Sequence, residues 1–147
     1  MKIIEGDLLK IEHGYILHQV NCVGATGGLA GALRRMWPAA FESYRNACII
    51  YGGYQQALLG SFRYSWEAEP KIVHIFGQVY PGPNTDYAAA EKAISGFANE
   101  LTIMHSKSEV YVPYGMGCGL GGGDWSIYSK IIERHLPEAV IVRLSRR

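Results

Sequence analysis

A glycine-rich stretch, residues 18–35 with the sequence HQVNCVGATGGLAGALRR, holds four glycines in eight positions between an apolar run and a segment with helical spacing. The backbone N–H groups of such a turn can face an anion without obstruction by side chains, and the start of a helix favours negative charge. The stretch therefore predicts a phosphate-binding site. A tight structural turn is the alternative, because glycine also occurs wherever a chain reverses sharply.

A second glycine-rich loop, residues 115–123 with the sequence GMGCGLGGG, also lies between a predicted strand and a predicted helix. Ligands of open α/β sheets bind at the carboxyl ends of strands, so the two loops would form facing walls of one cleft. Backbone N–H groups and helix N-termini can hold a diphosphate there with little help from Lys or Arg. Residues 117–122 match the dinucleotide pattern GxGxxG, but only one strand follows them, which disfavours a Rossmann-type nicotinamide enzyme.

Two side chains near these loops could carry out chemistry. His18, three residues before Asn21, could act as an acid, a base or a nucleophile near neutral pH, or it could be a buried strand histidine. Asp124 could orient a water as a base, or it could cap the helix that begins there, since Asp is a preferred N-cap residue. For His18 and for Asp124, the chemical role and the structural role both remain open.

Strands and helices alternate along the chain, which predicts a single α/β domain over residues 1–147. Pro38 is expected to kink or divide the first helix, and residues 59–65 could form a strand or a hairpin arm that Pro70 closes. The predicted strands are residues 2–5, 15–20, 71–76, 109–113 and 139–144, and the predicted helices are residues 28–45, 86–105 and 124–135. The apolar faces of the first two helices are expected to include Leu29, Leu33, Met36 and Trp37, and Ala89, Ile94, Phe97, Leu101 and Met104.

Composition excludes several classes of protein. The formal net charge of +1, with scattered Lys and Arg, argues against a nucleic-acid binder. The three cysteines lack CxxC spacing and the five histidines form no ligand pattern, so neither a disulfide framework nor a metal site is expected. No signal peptide is apparent, and no apolar run approaches the ~20 residues of a membrane span. We expect an intracellular, cytoplasmic protein that needs no membrane and no cofactor.

Together these segments resemble a macro domain, the module that binds ADP-ribose. The matches are GDLL at residues 6–9, NCxG at 21–24, TGGLA at 26–30, KIVHIFGQ at 71–78 and YGMGCGLGGGDW at 114–125. The resemblance covers nearly the whole chain. It looks closest to the branch that holds the yeast-type ADP-ribose 1''-phosphate phosphatase and the terminal ADP-ribose protein glycohydrolase. It implies a three-layer α/β/α fold around a central mixed six-stranded sheet, with ADP-ribose across its carboxyl edge.

The resemblance also implies contacts to the ligand. Asp7 would accept a hydrogen bond from the adenine amino group, Leu8 would add a backbone contact, and Asn21 would reach the distal ribose. Arg143 and Leu144 would flank the adenine, on which a guanidinium can stack. The diphosphate and the distal ribose would be held by residues of the two loops: Ala25, Thr26, Gly27, Gly28, Leu29, Ala30, Met116, Gly117, Cys118, Gly119, Leu120 and Gly121.

For chemistry, the resemblance implies hydrolysis of ADP-ribose 1''-phosphate to ADP-ribose and phosphate. His18 is at the position of a candidate catalytic histidine of the phosphatase branch, and Asp124 matches an acid that faces the distal ribose. As a base, Asp124 would orient a water toward the phosphate or toward C1''. The alternatives are a hydrolase that removes ADP-ribose from protein or nucleic acid, and a non-catalytic binder of ADP-ribose or a related NAD-derived signal.

Two positions depart from the glycohydrolase. Its lysine, a covalent nucleophile, is replaced by Gln78, whose amide cannot form the intermediate that an amine can. The acid that directly follows GCGL in that enzyme is Gly121 here, and the acid comes three residues later. Lysine-dependent removal of ADP-ribose from protein is therefore not expected. The expected partners are ADP-ribose, its 1''-phosphate and ADP-ribosylated macromolecules, bound by a monomer.

Overall fold

The computed structural model describes residues 1–144, which contain one six-stranded sheet. In chain order its strands are β1 (Lys2–Glu5), β2 (Tyr15–Val20), β3 (Phe62–Arg63), β4 (Lys71–Phe76), β5 (Val110–Pro113) and β6 (Val140–Arg143). Across the sheet the order is β1-β6-β5-β2-β4-β3. Neighbouring strands are parallel except β3, which runs antiparallel to β4, so the sheet is mixed as predicted.

Within residues 1–144, five α-helices connect the strands. They are α1 (Gly28–Met36), α2 (Glu42–Ile50), α3 (Gln55–Leu58), α4 (Tyr87–Ile103) and α5 (Trp125–His135), with short 3₁₀ helices at Leu8–Lys10 and Pro38–Phe41. Pro38 divides the first predicted helix because proline lacks the N–H that a continuous helix needs. None of these helices is both long and apolar enough to cross a membrane.

Helices cover both faces of the sheet, which gives the expected three layers. On one face, Phe97 and Tyr128 of α4 and α5 belong to one core cluster, and on the other face Tyr44 of α2 belongs to a second. Successive side chains of a strand point to opposite faces. In β2, Leu17 therefore joins the first cluster and Ile16 the second, and both are fully buried. The carboxyl ends of β2, β4 and β5 meet at one edge.

The predicted strands agree with the structure to within one residue at each end, apart from the strand or hairpin arm at residues 59–65, of which only the two residues of β3 form a strand. The short α3 precedes that segment. Three side chains predicted for the core are exposed instead: Leu29, Met36 and Met104. The buried residues of α1 are Gly31 and Leu33, so that helix contacts the sheet through a narrow stripe. Met104 follows the last residue of α4 as its C-cap, beyond the face that packs.

Candidate functional site

A cavity of about 620 Å³ opens at the carboxyl edge of the sheet. Small-molecule sites commonly have volumes of roughly 300–1,000 Å³. The ends of β2 and β5 contribute residues to its lining, and two loops form its walls: the first glycine loop (residues 21–30) and the second glycine loop (residues 115–123). The two loops thus face each other across one cleft, as the sequence predicts.

The cavity is lined without charged side chains: within residues 1–144, no Asp, Glu, Lys or Arg belongs to its lining. The same residues hold no group of three or more His, Cys, Asp or Glu side chains placed to bind a metal ion. The polar surface comes from the backbone of the two loops and from a few side chains, namely those of His18, Gln19, Asn21, Thr26, Gln78 and Tyr114. A charged ligand would therefore meet dipoles rather than ions.

Most of the predicted loop residues line this cavity. Those that do are His18, Asn21, Ala25, Thr26, Gly27, Gly28, Leu29, Ala30, Met116, Gly117, Gly119, Leu120 and Gly121. Those outside the lining are Asp7, Leu8, Cys118, Asp124, Arg143 and Leu144. The Cys118 Sγ donates to the Met116 carbonyl at 3.3 Å, and burial raises the pKa of its thiol.

Asn21 shapes the first glycine loop. Its Oδ1 accepts hydrogen bonds from the N–H groups of Val23 (3.1 Å) and Ala25 (3.2 Å) and from the Tyr44 hydroxyl (3.0 Å). Its Nδ2 donates to the Ala25 carbonyl at 2.8 Å. An amide nitrogen carries two hydrogens, so one remains for a ligand hydroxyl. Asn21 therefore builds the loop and still presents a donor beside the cavity.

Helix α1 presents free N–H groups to the cleft. It begins at Gly28, and its N-cap, Gly27, has no side chain with which to accept a hydrogen bond. By contrast, Asp86 caps α4 and Asp124 caps α5 with a carboxylate. The first N–H groups of α1 have no partner within residues 1–144. These groups, together with the positive end of the helix dipole, favour an anion here.

Backbone turns shape the second glycine loop. The N–H of Cys118 donates to the Gly115 carbonyl (2.9 Å), and the N–H of Gly123 donates to the Gly117 carbonyl (2.9 Å). Five N–H groups of this loop make no hydrogen bond to any described residue, namely those of Gly115, Gly117, Gly119, Leu120 and Gly121. The second wall thus resembles the first in offering unpaired donors.

The Leu120 side chain bridges the two walls. It is 72% exposed, yet its Cδ1 would lie 3.3 Å from a Cβ atom built on Gly28 and 3.9 Å from one built on Gly27. Gly28 has a positive φ of 53°, a conformation that glycine adopts without strain. The glycines of the first loop therefore leave the space in which Leu120 lies.

A partly buried polar network that sequence reasoning missed supports the second loop. The Gln19 Nε2 donates to Gln78 Oε1 (2.8 Å) and to Thr85 Oγ1 (2.7 Å), and its Oε1 accepts from the Tyr128 hydroxyl (2.7 Å). The Thr85 hydroxyl in turn donates to the Gly117 carbonyl at 2.7 Å. One signal was available in the sequence, since Gln19 and His18 interrupt an otherwise apolar strand.

His18 lies beside His74 on the neighbouring strand, and its Nε2 is 2.7 Å from His74 Nδ1. The His74 Nε2 is 3.0 Å from the Ala40 carbonyl, which can only accept, so Nε2 of His74 carries the proton. Nε2–H of His18 then donates to His74 Nδ1. Its own Nδ1 is buried and has no partner in the described chain.

Burial lowers the pKa of His18 well below its ordinary value, and the neighbouring His74 lowers it further. The ring is 2% exposed, and its N–H is engaged by His74 Nδ1. It therefore has no proton to give as a general acid, although Nδ1 keeps a lone pair. These features fit the buried strand histidine, and a catalytic role for His18 stays a prediction.

Asp124 is the N-cap of α5, as its alternative interpretation predicts. Its Oδ1 accepts from the Ser126 hydroxyl (2.7 Å) and from the Ser126 N–H (2.8 Å). These two hydrogen bonds lower the pKa of Asp124. The side chain is exposed and lies outside the cavity lining. Its role as a base stays a prediction.

The residues predicted to hold adenine lie at the same sheet edge, where β1 and β6 end. The Gly6 N–H donates to the Arg143 carbonyl at 3.0 Å, which keeps the two strand ends together. The Asp7 carboxylate accepts from the Leu9 N–H at 2.9 Å and so caps the first 3₁₀ helix. Leu8 is buried in the core, whereas Leu144 is 69% exposed.

Tyr114 joins this end of the edge to the cavity that it lines. The Arg143 guanidinium lies 5.4 Å from the centre of the Tyr114 ring, and that ring packs against Trp125 at 5.1 Å. Nη2 of Arg143 also lies 3.5 Å from Oε1 of Glu5. The guanidinium that the sequence predicts to flank adenine is thus placed over a tyrosine.

No family model matches the chain. An uncharacterized 17.5 kDa protein of the tk-vs intergenic region of Enterobacteria phage T4 is 28% identical over 152 residues, which cover 97% of this chain and 94% of the phage protein. An ADP-ribose 1''-phosphate phosphatase of Aspergillus fumigatus is 41% identical over 68 residues, which cover 45% of this chain and 30% of the phosphatase. The matched segment therefore spans about a third of that enzyme's length.

Solved structures share the fold over the whole chain. The macrodomain of Mycobacterium tuberculosis DarG superposes with a TM-score of 0.77 at 21% identity, covering 99% of this chain and 97% of that one. Thermosipho africanus DarTG in complex with ADP-ribose superposes with a TM-score of 0.71 at 20% identity, covering 99% of this chain and 43% of that one. The six-stranded mixed sheet, its two helical layers and these superpositions together show that the chain has the macrodomain fold.

Proposed function

We propose that the chain binds ADP-ribose across the carboxyl edge of its sheet. The observation that carries the proposal is the cleft, whose two walls present unpaired backbone N–H groups and whose described lining holds no charged side chain. Such N–H groups, with the N-terminus of α1, suit a diphosphate. The fold shared with DarG macrodomains and with DarTG solved in complex with ADP-ribose supports the same ligand.

The arrangement of polar groups along the edge supports one orientation of this ligand. The adenine would lie at the end of β1 and β6, where Asp7 can accept a hydrogen bond from its amino group. The diphosphate would lie between the glycine loops. The distal ribose would lie near the remaining Nδ2 hydrogen of Asn21, at the end of β2.

Calorimetric titration tests the proposal with Asp7 variants. Wild-type protein is expected to bind ADP-ribose, and Asp7→Ala to bind it about tenfold more weakly, because a hydrogen bond to a charged group contributes about 1.5–3 kcal/mol. Asp7→Asn is the matched control, since its amide oxygen still accepts the Leu9 N–H and keeps the 3₁₀ helix capped. Absence of binding heat with wild-type protein at millimolar ADP-ribose would refute the proposal. Equal affinity of all three proteins would place the adenine elsewhere.

We further propose that the chain hydrolyses ADP-ribose 1''-phosphate. The supporting observation is the segment that is 41% identical to an ADP-ribose 1''-phosphate phosphatase. A water would attack the phosphorus and give a proton to the Asp124 carboxylate, which would also orient it. The bond from phosphorus to the C1'' oxygen would break, that oxygen would take a proton from solvent, and ADP-ribose and phosphate would leave. The unpaired Nδ1 of His18 would accept a hydrogen bond in the cleft.

Phosphate release from ADP-ribose 1''-phosphate tests this second proposal. Asp124→Asn is expected to slow release about 100-fold, the size of a general-base contribution, without loss of stability because Asn also caps helices. His18→Ala is expected to slow release with ADP-ribose affinity retained. Wild-type rates in both variants would show that neither residue is catalytic. A wild-type protein that binds ADP-ribose and releases no phosphate would be a non-catalytic binder.

A further inference from the structure

Gln19 occupies the centre of the polar network beneath the second glycine loop. Its two Nε2 hydrogens are both donated, one to Gln78 and one to Thr85, and its Oε1 accepts from Tyr128. The Gln78 Nε2 donates to the carbonyls of Tyr80 (2.7 Å) and Gly82 (3.0 Å), which leaves the Gln78 oxygen free to accept. Every donor is therefore matched to an acceptor, and the amide of Gln19 has one satisfactory orientation.

This side chain joins segments that are distant in sequence. Gln19 is on β2, Gln78 follows β4, Thr85 precedes α4 and Tyr128 is on α5. Thr85 holds the second glycine loop at two points, because its hydroxyl donates to the Gly117 carbonyl (2.7 Å) and its N–H donates to the Gly121 carbonyl (3.1 Å). The position of the loop thus depends on a chain of hydrogen bonds that begins at Gln19.

At Gly117 and Gly121 the loop lies against the network with no room for a side chain. A Cβ on Gly117 would lie 2.5 Å from the Tyr128 ring and 3.0 Å from Gln19 Oε1. A Cβ on Gly121 would lie 2.6 Å from Thr85 Oγ1. Both glycines also line the cavity with unpaired N–H groups. The glycine backbone therefore contacts the network on one side and faces the cavity on the other.

We infer that Gln19 is a positioning residue for ligand binding. Through Thr85 and Tyr128 it sets the place of the second glycine loop, and with it the direction of the N–H groups of Gly117 and Gly121. The effect on ligand affinity rests on the proposed binding of ADP-ribose, whereas the effect on the loop does not depend on any ligand.

Amide hydrogen exchange in the unliganded protein tests the effect on the loop. Gln19→Met keeps a side chain of similar length and removes all three hydrogen bonds. The amides of Cys118 and Gly123, which are hydrogen-bonded within the loop, are expected to exchange about tenfold faster, the equivalent of one lost hydrogen bond. Gln56→Met is the matched control, because Gln56 is exposed on α3. In this variant the amides of the second glycine loop should exchange at the wild-type rate.

A pair of Thr85 variants tests the same chain of hydrogen bonds without touching Gln19. Thr85→Val removes the hydroxyl and Thr85→Ser retains it. ADP-ribose affinity is expected to fall about tenfold in Gln19→Met and in Thr85→Val, and to equal that of wild type in Thr85→Ser. A loss of packing alone would not produce this difference between the two Thr85 variants. If Gln19→Met does not fold, the Thr85 pair decides.

The outcomes separate the two proposals. Wild-type loop exchange in both Gln19→Met and Thr85→Val overturns the positioning role, whatever the ligand. Faster loop exchange together with unchanged ADP-ribose affinity also overturns it, because the loop would then move without effect on the ligand. Failure of wild-type protein to bind ADP-ribose refutes the proposed function instead, and hydrogen exchange alone then decides the role of Gln19 in placing the loop.

Discussion

Gly117→Ala is expected to abolish measurable ADP-ribose binding and to lower the free energy of unfolding by about 2–5 kcal/mol. Gly117 has a φ of +74°, where an L-residue is strained by about 1–2 kcal/mol. Its new Cβ would lie 2.5 Å from the ring of Tyr128, which is fully buried and cannot move aside. Overpacking of this kind costs about 1–3 kcal/mol. Urea denaturation and calorimetric titration measure the two effects.

Gly119→Ala is the matched control in the same loop. Gly119 has no positive φ, a Cβ there would meet nothing within 4 Å, and the residue also lines the cavity. Its free energy of unfolding should stay within about 0.5 kcal/mol of wild type, as for an ordinary surface substitution. If the two alanine variants were equally stable, the backbone of the second glycine loop would not be held against Tyr128 as described.

Acid is expected to destabilise the protein between pH 7 and pH 5 because of the buried histidine pair. Burial lowers the pKa of His74 to about 4, partly opposed by its hydrogen bond to the Ala40 carbonyl. Burial and His74 lower the pKa of His18 well below its ordinary value. An unfolded chain takes up these protons near pH 6.5, whereas the folded chain does not. The stabilisation is thus complete above about pH 6.5 and is lost as the pH falls toward 4.

The free energy of unfolding changes by about 1.4 kcal/mol per pH unit for each proton taken up on unfolding. Protonation of His74 alone therefore lowers that free energy by about 2 kcal/mol between pH 7 and pH 5. His18 adds a loss of the same sign. The carboxyl groups of Glu69, Glu91 and Asp124 have lowered pKa values and titrate below this window. Denaturation curves at several pH values measure the slope.

His74→Gln is expected to flatten this pH dependence, because its amide can donate to the Ala40 carbonyl and accept from His18 without titrating. His13→Gln is the control, since His13 is exposed on the surface, and its slope should equal that of wild type. A wild-type slope in His74→Gln would mean that other groups cause the loss of stability in acid.

The strands and long helices were predictable because their signals are local. The β-branched run of β4 and the helical spacing of the buried positions on α4 do not depend on distant residues. The two residues of β3 form a strand because β4 lies beside them, and nothing within residues 51–69 specifies that neighbour. The exposure of Leu29 likewise follows from the cleft above α1 rather than from helical spacing.

The two glycine loops of the candidate site were predictable from composition, but the side chains that support them were not. The sequence shows that His18 and Gln19 must point to opposite faces of a strand. It does not show that His74 lies opposite His18 in the neighbouring strand, or that Thr85, just before α4, and Tyr128, on α5, both reach Gln19. Those contacts depend on strand register and on how helices pack, which local pattern leaves undetermined.

The described lining of the cleft holds no charged side chain, and this affects how the amino-acid sequence specifies a ligand. If backbone N–H groups hold the diphosphate, no single side chain carries the chemical group that recognises that part of the ligand. The glycines of the loops contribute mainly because they lack a Cβ atom, so that the main chain can approach both the ligand and the supporting network. Substitutions in the loops would then be accepted or rejected by size and allowed backbone angles, largely regardless of polarity.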